Sequence, residues 1–286
     1  MKKLILAAAV LLATVAGSAS AVPLRGDVIL VQGTSRGTTA LYSVRPNGTG
    51  FRRLSRGGRF TGEPAWSEHD RRVAFTSDRS GDGYQIYAMN PDGRGLVRVT
   101  NGPGGVHDPA WSPRGGLIAY AAIQGVQVID VHSQVVQDAT GESTTRAPTW
   151  SHDGTKIAFA TGADPRQGKP QIFVVTWRED VLHQLTHVSG GAAHPTWSPD
   201  GKRIAYVATN AAALWLMDAN GRHKHPVTRR GGVSAPAWSP DGQWIVFARG
   251  RAVRSIWAIR PDGTRLHLIM AVPGLSLDHP SWQHRS

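Results

Sequence analysis

One pattern recurs six times in this chain, and it restricts the fold more than any other feature. Pro64-Ala65-Trp66-Ser67, Pro109-Ala110-Trp111-Ser112, Pro148-Thr149-Trp150-Ser151, Pro195-Thr196-Trp197-Ser198, Pro236-Ala237-Trp238-Ser239 and Pro280-Ser281-Trp282 place a proline two residues before a tryptophan each time. The tryptophans lie 45, 39, 47, 41 and 44 residues apart. A period in the forties, with one Trp strand and one Gly turn per unit, marks a radial array of small sheets in which each repeat is one blade.

The unit around Trp197 shows the local chemistry. Pro195 is expected as the first residue of a strand, where a missing N–H breaks no ladder bond. Ser198-Pro199-Asp200-Gly201 is turn chemistry: Pro presets φ, Asp bonds its own backbone, and Gly accepts the left-handed residue. Ile204-Ala205-Tyr206 follows as a β-branched and aromatic strand. Leu214-Trp215-Leu216-Met217 and the turn Ala219-Asn220-Gly221 add a third strand and its exit. In the first full repeat, Ser67-Glu68-His69-Asp70 puts Asp where Gly is expected, and Asp tolerates the left-handed region better than most residues. No stretch of about ten residues beyond the N-terminus has helical periodicity.

Gly26 to Ser55 carries everything in a repeat except the Trp strand, and Pro280-Ser281-Trp282 is a Trp strand without a repeat. The fragments complete each other. The expectation is an all-β, six-bladed β-propeller of four-stranded blades, closed by a C-terminal inner strand that completes the N-terminal blade. The small residues between Pro and Trp suit the crowded axis. The tryptophans suit the wider space between blades, so they read as core.

At the N-terminus, Lys2 and Lys3 precede an apolar run from Leu4 to Ala16 and an Ala19-Ser20-Ala21 site. This describes a secretory signal peptide over residues 1–21, too short to span a bilayer. Residues 22–286 are then a single domain with no transmembrane span, periplasmic or secreted, and monomeric. The chain has no cysteine, and a domain of this size needs no disulfide staples. Its formal charge of +12, or +10 without Lys2 and Lys3, favours acidic partners. Export argues against nucleic acid as the partner.

Pro-x-Trp-Ser-Pro-Asp-Gly followed by a Lys-Arg-Ile-Ala-Tyr strand resembles the TolB-type propeller repeat, also called the WD40-like or PD40 repeat. Ser77-Asp78-Arg79-Ser80-Gly81-Asp82-Gly83 before Gln85-Ile86-Tyr87 is similar to that family's loop between second and third strands. The resemblance covers nearly the whole mature chain. It implies a periplasmic scaffold that binds other envelope proteins, here the propeller alone without the family's N-terminal α/β domain.

Candidate chemistry is sparse. Gly33-Thr34-Ser35-Arg36-Gly37 fits the G-x-S-x-G nucleophile pattern, which works only on a strand-to-helix elbow. Here it is expected in a loop between blade strands. Asn47-Gly48-Thr49 reads as a hairpin turn. His223 and His225, two apart on an expected outer strand, share a face but lack a third ligand nearby. The polar set just before the Trp strands is more suggestive: Glu63, His107, Asp108, Arg146, His194, Asp278 and His279. Strand pairing should bring these positions to one mouth of the central channel, as a docking rim. The reading is an exported, non-catalytic scaffold whose partner is an envelope protein or anionic polymer, with no cofactor. The alternative is a channel-mouth, metal-dependent lyase or lactonase acting on an acidic carbohydrate-like substrate, with a divalent ion held by the histidines and carboxylates.

Overall fold

A computed structural model describes residues 28–55, 58–102, 105–141, 145–161 and 168–283. The signal-peptide segment and Gly26 lie outside the described residues. The described chain forms six four-stranded antiparallel sheets, as the repeat predicts. Blade 1 comprises Val28–Ser35, Thr38–Val44 and Arg52–Arg53, with Ser276–Gln283 as its inner strand. Blades 2 to 6 each begin at a Trp strand: Thr61–Ser67, His107–Trp111, Thr145–Trp150, Ala192–Trp197 and Val233–Trp238. The closing strand pairs antiparallel with Val28–Ser35, with Trp282 opposite Ile29. Among the described residues no helix is long and apolar enough to cross a membrane.

The core lies between blades. Trp238 packs on Ala205, Leu214 and Leu216 of the preceding blade, and Trp197 on Ala158, Ile172 and Val174. Trp238 also donates its indole N–H to the Thr196 carbonyl (3.2 Å), and Trp150 does the same to Ala110 (3.1 Å). Each Trp thus plugs the gap to its neighbour, as expected of a core residue.

Two local expectations are corrected. Pro195 and its counterparts are not first residues of strands but lie inside the inner strands, at bulges. Asp70 does not take the left-handed backbone; Arg71 does, at φ 51°. The carboxylate of Asp70 instead accepts from Ser67 and from the Gly116 N–H of the next blade, both at 3.1 Å. An interblade bond is what Asp supplies there and Gly could not.

A repeated hydroxyl finishes the blades. The Thr186 hydroxyl, just past an outer strand, accepts the Ile172 N–H at 2.8 Å. Ser55, Thr100, Thr140 and Thr228 do the same for Leu41, Ile86, Val126 and Leu214. Thr186→Val keeps the shape but orphans a buried N–H, so a loss of about 2 kcal/mol is expected by urea unfolding. A variant as stable as the parent would show the bond to be dispensable.

Candidate functional site

The site is made by backbone geometry before any side chain enters. In every inner strand, two residues oppose one on the neighbouring strand just before the tryptophan: Gly62 pairs with Thr76 and Ala65 with Ala74. Glu63 and Pro64 therefore share a single partner, which is a β-bulge. The same shift recurs in the other five blades. The first bulge residue is left-handed each time: Glu63 (φ 54°), Asp108 (53°), Ala147 (49°), His194 (51°), Ala235 (44°) and His279 (45°). Proline follows because a bulged residue has no ladder bond for an N–H to make. Non-glycine residues in this conformation are strained, and such strain concentrates at functional sites.

These six residues form a ring around the axis. It lies at one end of a cavity of about 380 Å³, walled further along by the prolines, the small residues and the tryptophans. At the other end are the hairpin turns, among them Glu68, Pro113, His152 and Pro199. Two ring positions are alanine, so four functional side chains share the opening. Ligand atoms of Glu63, Asp108 and His279 lie within 4.8 Å of one another. The His194 and His279 rings meet edge to face, with centroids 6.0 Å apart.

Each carboxylate is anchored from the next blade or strand. Glu63 Oε2 accepts from the Thr76 hydroxyl (2.6 Å) and from the Asp108 N–H (2.8 Å). Asp108 Oδ2 accepts from the Ala147 N–H (3.0 Å). The Gln32 side chain accepts the Glu63 N–H at 3.1 Å. Burial opposes ionisation of Glu63, yet nearby His107, the charge on His279 and these hydrogen bonds hold it well below the usual carboxylate range. Burial and the Glu63 charge push the Asp108 carboxyl up to about 6. Burial and the proximity of His279 push His194 down to about 4, so it is neutral at pH 7.

The other three predicted residues stand one position earlier and do not line the cavity. His107 sits 3.8 Å from Glu63 Oε2 and packs on Tyr84 (4.8 Å between centroids), which in turn meets Phe60. Arg146 is exposed. Asp278 is buried and accepts from Ser234 (2.8 Å), from Arg254 and from the His279 N–H (2.9 Å). It is an anchor of the closing strand rather than a rim group. Sequence reasoning missed Gln32, Thr76 and Arg254, which carry no motif.

Two minor candidates fall away. Gly33, Thr34 and Ser35 belong to the strand Val28–Ser35 and not to a loop, and Arg36-Gly37 turns directly into Thr38–Val44. There is no elbow. His223 and His225 do not share a strand face: His223 is left-handed and pairs with Asp218, while His225 bonds the His223 carbonyl.

Charge is segregated between the two faces. The loops on the ring side expose Arg36, Arg59, Arg229, Arg230 and Arg251, and Arg146 is exposed at the ring-side end of its inner strand. Among the described residues of those loops, the acidic groups are Asp78 and Asp82, and both are engaged. Asp78 accepts the Arg59 and Phe60 N–H groups (2.9 Å each), and Asp82 pairs with Arg98 (2.7 Å). The hairpin-side turns mix both signs, with Asp92, Asp153, Asp200, Asp241 and Asp262 among them.

Comparisons with known proteins agree with this architecture. A sequence model of the TolB beta propeller domain matches residues 122–285. No curated protein sequence matches the chain. Among solved structures, TolB from Acinetobacter baumannii superposes with a TM-score of 0.78 at 21% identity, covering 91% of this chain and 67% of that one. An oligogalacturonate lyase in complex with manganese superposes at 0.58 with 14% identity, covering 85% and 73%. An oligogalacturonate lyase from Vibrio parahaemolyticus gives 0.56 with 14% identity, covering 86% and 74%.

Proposed function

For a chain that belongs to the TolB beta-propeller family, we propose an exported, non-catalytic scaffold of the cell envelope that docks an acidic partner, protein or polymer, on its ring-side face. The observation that carries this reading is the charge segregation. Among the described residues, the ring-side loops expose arginines while their acidic groups are already engaged, and the hairpin-side turns are mixed. Such a field steers acidic partners to one face and sets their orientation. Phe60, Tyr84 and His107 add an aromatic cluster beside Glu63, the kind of surface that anchors a contact. The Ala19-Ser20-Ala21 leader and family membership support export to a periplasmic location.

Retention on an immobilised sulfated polysaccharide tests the reading. Arg229→Glu, Arg230→Glu and Arg251→Glu together should bring elution to clearly lower salt, whereas Arg222→Glu with Lys224→Glu on the other face should change it little. Equal losses from both faces would leave net charge as the cause and remove the docking face.

A second reading, a metal-dependent lyase acting on an acidic carbohydrate, has one observation in its favour: a carboxylate–histidine cluster stands at the end of a cavity beneath a basic face. Turnover of acidic oligosaccharides by the purified protein would move the conclusion to it.

A further inference from the structure

We propose that Glu63, Asp108 and His279 bind one divalent transition-metal ion, Zn²⁺ or Mn²⁺, between blades 1, 2 and 3. The proposal rests on the ring's geometry alone and needs neither the docking nor the enzymatic reading. Three ligand atoms from residues far apart in the chain converge within 4.8 Å, the only such group among the described residues. Each carboxylate already spends one oxygen on neighbouring hydroxyl or backbone donors. The opposite oxygens, Glu63 Oε1 and Asp108 Oδ1, receive no hydrogen bond from a described residue. This is the division of labour of a metal ligand and its supporting shell, in which outer donors orient the carboxylate and leave a lone pair for the ion.

The histidine supplies a second and independent sign. His279 Nδ1 is inaccessible to solvent and has no hydrogen-bond partner. Buried polar atoms of this kind are rare and call for an explanation. This nitrogen lies 3.8 Å from Asp278 Oδ1, too far for a hydrogen bond, and an ion bound to it would satisfy it. The backbone of His279 is held by its N–H bond to the Asp278 carboxylate. Two carboxylate oxygens with one imidazole form a mixed set that suits Zn²⁺ and Mn²⁺, while Ca²⁺ wants six to eight oxygens. Three protein ligands leave a coordination position open. Ala147 and Ala235 keep the space beside it clear, so that position is accessible to an anionic group entering the cavity.

The test uses the full mature chain, stripped with chelator and titrated calorimetrically with Zn²⁺, Mn²⁺ and Ca²⁺. One equivalent of Zn²⁺ or Mn²⁺ is expected, bound at least tenfold more tightly than Ca²⁺. Asp108→Asn and His279→Gln should each weaken binding by about ten- to a hundredfold, while His183→Gln on an exposed outer strand should not. Substoichiometric binding, or unchanged affinity in both ring variants, overturns the site. Should a ring variant fail to fold, Mn²⁺ added to the wild type decides. Selective broadening of the His279 and His194 imidazole resonances supports the site, and broadening of exposed histidines alone refutes it.

Discussion

A chain ending at residue 275 is expected to be insoluble, or to melt far below the full-length protein. The removed segment looks like a tail, and tails are usually dispensable. Here it is the inner strand of blade 1. Its loss exposes the inner edge of Val28–Ser35 to pairing with other chains. It also takes away Leu277 and Trp282, both buried against Val246, Ala248 and Ile256 of blade 6. A buried Trp alone is worth about 3–5 kcal/mol against Ala, out of a typical domain total of about 5–15 kcal/mol. The bonds from Leu277 N–H to the Arg254 carbonyl (2.9 Å) and from Trp66 N–H to the Ser281 hydroxyl (3.2 Å) go as well. Size-exclusion chromatography and a thermal melt decide the matter. An unchanged melting temperature would mean that the ring does not depend on closure at this seam.

Asp278→Ala should produce the next largest loss, about 3 kcal/mol at pH 7 by chemical denaturation. The carboxylate joins the closing strand to blade 6 through Ser234 and Arg254, and it caps the His279 N–H. Removing it leaves Arg254 without its ion-pair partner and Ser234 without an acceptor. Burial works against the Asp278 charge, but His279 and Arg254 outweigh it and hold the carboxyl below its ordinary value. A carboxyl depressed by folding contributes stability that is present above the unfolded pKa, near 4, and lost as pH falls through the lower folded value. The gap between wild type and Asp278→Ala should therefore narrow below about pH 4. A gap independent of pH would assign the loss to packing rather than to the ion pair. Asp278→Asn, which keeps the shape, should fall between the two.

Blade number, strand order and the identity of the closing strand were all readable from residues. Each depends on a short pattern repeated at near-constant spacing: Pro-x-Trp for the inner strand, Ser-Pro-Asp-Gly for its turn, and a β-branched triplet after it. Turn preference and strand propensity act within about ten residues, so a linear reading captures them. The same reading placed Glu63, His107, Asp108, Arg146, His194, Asp278 and His279 together at one mouth of the channel. Glu63, Asp108, His194 and His279 line the cavity, because equivalent positions in equivalent repeats share a height along the axis, and the other three do not.

What the repeat could not show was where each side chain goes. Whether a residue faces the channel or the blade interior changes with every single position along a strand, and the bulge inserts one residue into that count. It sends Glu63, Asp108 and His279 to the axis, while Asp278, one residue earlier, is turned into the seam. The local mark of the bulge is the proline that follows it, and a proline fits the first residue of a strand equally well, so a linear reading takes it for a strand start. The partners that set the chemistry are also remote in sequence: Glu63 holds the N–H of Asp108, 45 residues away, and Ser281 that of Trp66, 215 away. The arginines of the ring-side loops are scattered along the chain, and only the closure of the propeller gathers them on one face. Sequence by itself determined the blades; the ring, the seam and the charged face were decided by packing them around an axis.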